Sequence, residues 1–124
     1  MELGSRKILI MEDEKTLAKA LELKLTHEGY LVTCLKNGED FLSLLEKEDF
    51  SLIVCDLMMP KFDGFQVLQT LKEKELKIPV IVLTNLSQPE DEKKVQELGA
   101  SHFYVKSDIQ LSQIISNIKE IVNL

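Results

Sequence analysis

Asp56 closes the apolar run Ser51-Leu52-Ile53-Val54-Cys55 and is followed by Leu57-Met58-Met59-Pro60 and the turn-like Lys61-Phe62-Asp63-Gly64. A carboxylate at the end of such a run can act as nucleophile, metal ligand or general base. Three other apolar runs end in polar residues of different kinds. Lys7-Ile8-Leu9-Ile10-Met11 is followed by Glu12-Asp13, Pro79-Val80-Ile81-Val82-Leu83 by Thr84, and Phe103-Tyr104-Val105 by Lys106. Acids from two strand ends suit a hard divalent cation such as Mg2+, which takes carboxylates together with carbonyl, water and phosphate oxygens. A hydroxyl and an ammonium beside them suit a phosphoryl group, with the lysine acting as a point charge. Taken singly, each has a plainer use, since acids cap helices and a threonine or lysine after a strand is often a turn or solvated residue. A shared rim would make them one site.

A parallel sheet supplies such a rim. Continuous apolar runs of three to five residues such as these read as strands buried on both faces. Between them lie amphipathic stretches. Glu14 to Glu28 spaces Leu17, Leu21 and Leu25 four apart and stops at Gly29. A strand over Tyr30-Leu31-Val32-Thr33-Cys34-Leu35 and the turn signal Asn37-Gly38 precede a short helix carrying Phe41, Leu42, Leu44 and Leu45 and ending near Lys47. Gly64 to Lys72 is again helical, with Phe65, Val67, Leu68 and Leu71. Ser87-Gln88-Pro89-Glu90 reads as a helix start, running to Leu98 before Gly99. Asp108 to Val122 forms a last helix with Leu111, Ile114, Ile115, Ile118 and Val122 on one face and Asp108 as its expected cap. Five strands alternating with five helices give an α/β fold, a parallel sheet covered by helices on both faces. In such sheets ligands bind beyond the carboxyl ends of the strands, where strand order reverses.

At 124 residues, with 44% hydrophobic and 29% charged, the chain reads as a single soluble domain. A net charge of −6 argues against a grip on nucleic acid. No run is long enough to span a bilayer, and no secretory signal is visible. Cys34 and Cys55 both fall in strand-like runs and read as buried thiols of a cytoplasmic protein. His27 and His102 are lone histidines, read as surface or packing residues.

The motifs resemble the receiver domain of two-component response regulators from about Lys7 to Val122. The resemblance rests on Glu12-Asp13, Asp56 with Met58-Met59-Pro60 and Asp63-Gly64, Thr84, Gly99-Ala100 and Lys106. It implies a flavodoxin-like doubly wound sheet in the order 2-1-3-4-5, with a receiver domain over residues 6–124 and a short lead-in over 1–5. It also implies that Asp56 takes a phosphoryl group from a sensor histidine kinase or phosphotransfer protein. Mg2+ would be held by Asp13, Asp56 and the backbone carbonyl of Met58, with Glu12 assisting through water. Lys106 and Thr84 would contact the phosphoryl group, and Thr84 with Phe103 would form the switch that signals to an output partner or domain. Such a domain is no enzyme beyond its own phosphorylation and dephosphorylation.

Some residues depart from the family pattern. Ser107 stands where a proline usually follows the lysine, so a cis bond there is not to be assumed, and the sequence leaves it open. Asn85 is larger than the usual residue after the threonine, and Phe103 lacks a hydroxyl; Tyr104 should face the opposite side of the sheet. Ile109, Ile121 and Leu124 widen the last helix's apolar face, a feature compatible with homodimerisation or with a broad core face. A binding module independent of phosphorylation is the alternative function. A phosphatase with a strand-end Asp nucleophile would need a second acid at the position of Met58, and a flavin-binding protein would not place Glu12-Asp13-Glu14 at its phosphate loop.

Overall fold

Five strands pair in parallel in the order β2-β1-β3-β4-β5: β1 (Lys7–Met11), β2 (Leu31–Leu35), β3 (Leu52–Asp56), β4 (Val80–Thr84) and β5 (His102–Val105). The computed structural model describes residues 6–85 and 88–123; the expected lead-in, the helix start at Ser87 and the contribution of Leu124 lie outside them. The helices α1 (Lys15–His27), α2 (Phe41–Lys47), α3 (Gly64–Glu73), α4 (Pro89–Glu97) and α5 (Leu111–Val122) alternate with the strands. The fold is therefore the flavodoxin-like one expected from the alternation and the resemblance.

β3 and β4 are buried at every position, as their unbroken apolar runs require of strands covered on both sides. Successive side chains point to opposite faces. Leu9, Met11, Ile53, Cys55 and Val82 meet Phe41 of α2, Val67, Leu68 and Leu71 of α3 and Val95 of α4. Ile8, Ile10, Leu52, Val54, Ile81 and Leu83 meet Leu21 and Leu25 of α1 and Ile114, Ile118 and Val122 of α5. A fully buried aliphatic side chain contributes about 1.5–3 kcal/mol, against about 0–1 kcal/mol for an exposed ion pair. These two apolar layers, and not the surface charges, hold the strand ends in place.

Two local expectations need correction. Asp108 does not cap α5; it ends a 3-10 turn over Lys106–Asp108. Gln110 is the N-cap instead, in a capping box with Gln113 whose two side chains satisfy each other's backbone N–H groups. Cys34 is only half-buried, because β2 is an edge strand, whereas Cys55 lies in the core. Burial pushes the Cys34 thiol up to about 11, helped by the charge of Glu22, and raises Cys55 further. Ile109, just ahead of α5, and Leu111, Ile115 and Ile121 on it pack partly against the α1–α5 core layer. No described helix is long and apolar enough to cross a membrane.

Candidate functional site

The strands whose runs end in polar residues are the four contiguous ones, β1, β3, β4 and β5. Register aligns their ends: Met11 lies opposite Cys55, Asp56 opposite Leu83, and Thr84 opposite Val105. Glu12, Asp56, Thr84 and Lys106 therefore occupy successive positions along one rim. This rim flanks β1 and β3, between which the crossovers reverse direction.

Lys106 is the hub. Its Nζ lies 2.8 Å from Asp56 Oδ2, 2.9 Å from Glu12 Oε1 and 3.3 Å from Glu14 Oε2. Asp56 is 5% exposed, Glu12 3% and Thr84 fully buried. Two carboxylates so deeply placed would each lose several kcal/mol of hydration without a counter-charge. Burial holds the Glu12 carboxyl above its ordinary range, with hydrogen bonds from Lys106 and the Glu14 N–H opposing the shift. Burial also works against the Lys106 ammonium, but Asp56 and Glu12 outweigh it and keep Lys106 charged well beyond the usual lysine range. The other Asp56 oxygen, Oδ1, accepts from the Met58 N–H at 3.0 Å.

Asp13 is exposed at the mouth of the site, and an oxygen from each of Glu12, Asp13 and Asp56 lies within 4.8 Å of the others. That donor set, all hard oxygens with more negative than positive charge around it, fits Mg2+. Met58 lines the same surface recess as Asp13, together with Met59, Pro60 and Asp63. Met58 is largely exposed there.

The loop after β3 is held by the start of α3. Asp63 caps that helix in a capping box with Gln66, and the Gly64 N–H donates to the Leu57 carbonyl at 3.3 Å. A Cβ at Gly64 would sit 2.8 Å from the Asp56 carbonyl oxygen and 2.9 Å from Leu57 Cα. Glycine is therefore what lets α3 pack directly against the end of β3.

Phe103 packs with the α2–α4 core layer, while Tyr104 faces α5, as strand alternation requires. The Tyr104 hydroxyl accepts a hydrogen bond from Asn117, and its ring stacks on His102 with centroids 5.8 Å apart. His102 Nδ1 finds no hydrogen-bond partner among the described residues, and His27 is exposed at the end of α1. Neither belongs to the metal-competent group found among the described residues. No described peptide bond is cis, that between Lys106 and Ser107 included.

Sequence reasoning missed Glu14, which it took only as the start of α1. The signal was present as a third acid in Glu12-Asp13-Glu14, but its reach to Lys106 depends on how the loop turns. The Asp63-x-x-Gln66 capping pattern was also legible and went unread.

With this geometry in place, comparison with known proteins is decisive. The model of the response regulator receiver domain matches residues 8–119. The chain belongs to the response regulator receiver family. A probable transcriptional regulator, ycf27, of Cyanophora paradoxa is 42% identical over 106 residues, which cover 86% of this chain and 44% of the relative. The receiver thus spans less than half the length of that relative. The receiver domain of Francisella response regulator 1452 superposes with a TM-score of 0.87 at 25% identity, covering 95% of this chain and 97% of that one. A DrrB receiver domain described as BeF3-activated gives 0.83 at 30% identity, covering 96% and 98%. Receiver domains are signalling modules of two-component systems and generally bind Mg2+, and the acidic group of this receiver is compatible with that ion.

Proposed function

We propose that this receiver accepts a phosphoryl group on Asp56 and converts it into a change at the β4–β5 end of the sheet. The observation that carries the reading is the Lys106–Asp56 pair at 2.8 Å beside Glu12 and Asp13. A nucleophile, its counter-charge and the means to hold a divalent cation lie at one rim.

An Asp56 carboxylate oxygen attacks the phosphorus of a phosphohistidine on a sensor kinase or phosphotransfer protein. The P–N bond breaks, the imidazole nitrogen leaves with its electron pair, and an acyl phosphate remains on Asp56. A carboxylate is a weak nucleophile, so rate must come from positioning and electrostatics. Asp13, Asp56 and the Met58 carbonyl would hold Mg2+, with Glu12 assisting through water. When bound, Mg2+ supplies the positive charge that lets two anions approach. Lys106 donates to a phosphoryl oxygen and neutralises its charge. The Thr84 hydroxyl donates to another, and its inward movement makes room for Phe103 on the α2–α4 side. Water attacking phosphorus later breaks the P–O bond to Asp56, releasing inorganic phosphate and restoring the carboxylate. The DrrB receiver described as BeF3-activated supports beryllofluoride as a probe of the same site here. The output partner or domain reads the β4–β5 end, and the net charge of −6 makes nucleic acid an unsuitable direct ligand of this domain.

Amide NMR of the isotope-labelled receiver tests this reading. Mg2+ should shift signals of Asp13, Asp56 and Met58, and beryllofluoride added afterwards should shift Thr84, Phe103 and Lys106. Shifts scattered over the surface, or an unchanged response in Asp56→Asn, would contradict it.

A further inference from the structure

We propose that Glu14 is a positioning residue that restrains Lys106 in the resting receiver and must release it when a phosphoryl group arrives. The inference rests on the phosphoacceptor reading of Asp56. Glu14 occupies the N-cap position of α1, where a short side chain such as that of Asp or Ser would accept hydrogen bonds from the first turn. Its side chain makes no such bond. The carboxylate turns away to Lys106 Nζ, at 3.3 Å.

The consequence follows from counting donors. An ammonium has three protons, and here three carboxylates, those of Asp56, Glu12 and Glu14, surround it. Lys106 therefore has no donor to spare for a phosphoryl oxygen until one partner withdraws. The side chains of Glu12 and Asp56 are 2% and 6% exposed, whereas that of Glu14 is 54% exposed and has the longest contact. Water can replace Lys106 around Glu14 at little loss, but not around the buried acids. Glu14 is the arm that lets go.

Removing it should ease capture of the phosphoryl donor by about two- to fivefold, the range spanned by exposed ion pairs. A change in field alone would also favour an anion, so the test must separate contact from charge. Glu14→Gln removes the charge, and Glu14→Asp keeps it on a side chain one methylene shorter. Initial labelling rates would be measured against acetyl phosphate concentration with saturating Mg2+. Both variants should lower the half-saturating concentration by about two- to fivefold, with the limiting rate little changed. In metal-free protein, the Lys106 15Nζ signal should move in both variants. Parent-like behaviour of both overturns the proposal. So does improvement in Glu14→Gln alone, which would mean charge repulsion without a Lys106 contact. A parent chain that takes no label at all overturns the phosphoacceptor reading itself, whereas a labelled parent with unaltered variants overturns only the role of Glu14.

Discussion

Lys106 and the acids around it form the most highly charged part of the interior, and single side chains there control both folding and chemistry. Replacing Lys106 by Met should destabilise the metal-free receiver by about 3 kcal/mol, because Glu12 and Asp56 would stay buried without their counter-charge. Chemical denaturation would measure the loss, and Mg2+ should recover part of it by taking over the lysine's electrostatic task. A variant as stable as the parent would mean that the pair is not the hub. Cys34 offers a second residue-scale test. Its thiol, pushed up to about 11 by burial, is almost wholly protonated at pH 8, and the thiolate is the reactive form. Alkylation of native Cys34 should be at least about a hundredfold slower than that of a free cysteine, whose pKa is about 8.5, and should accelerate as pH rises towards 11. Peptide mapping after timed iodoacetamide treatment reads this directly. The sequence revealed the residue types at the site, since Asp56, Glu12, Thr84 and Lys106 each end an apolar run. It did not reveal that one ammonium would gather three acids, because side-chain reach depends on loop conformation.

At the scale of elements, the site depends on how loops and helix ends meet. Gly38, ahead of α2, lies so close to Phe62 that a Cβ would overlap that residue's backbone and side chain. The Gly38 N–H donates to the Pro60 carbonyl at 3.2 Å, tying the α2 entrance to the loop that follows Asp56. Gly38→Ala should therefore displace that loop, at about 1–3 kcal/mol of stability, and weaken Mg2+ binding with it. Calorimetric Mg2+ titration with a thermal melt would check both. Glu75, just past α3, carries φ of 56°, and the Leu76 N–H returns to the Leu71 carbonyl at 2.9 Å. Glycine suits that left-handed position after a helix, so Glu75→Gly should stabilise by about 1 kcal/mol without touching the site. Element order and number were readable because apolar runs and amphipathic stretches differ in period. The start of α5 was misread. Asp108 is a good capping residue by type, but Lys106–Asp108 turns as 3-10 helix, and Gln110 takes the cap.

For the whole molecule, the doubly wound sheet places one polar rim over two apolar layers, so ligation at the rim is linked to the stability of the entire fold. Mg2+ at ten times its Kd should add about 1.4 kcal/mol, raising Tm by roughly 5 °C. Asp13→Asn should abolish most of that rise. Strand order is where the sequence alone fell short: alternation implies a parallel sheet, but the order 2-1-3-4-5 came from family resemblance. The structure supplies its physical content by making β1, β3, β4 and β5 neighbours. The central claim is that Asp56 is the phosphoacceptor. Intact-mass spectrometry after incubation with acetyl phosphate, with site mapping, tests it most directly. The expected result is one added phosphoryl group, located on Asp56, dependent on Mg2+ and absent from Asp56→Asn. Labelling that persists in Asp56→Asn, or a parent chain that remains unlabelled with Mg2+ present, would contradict it.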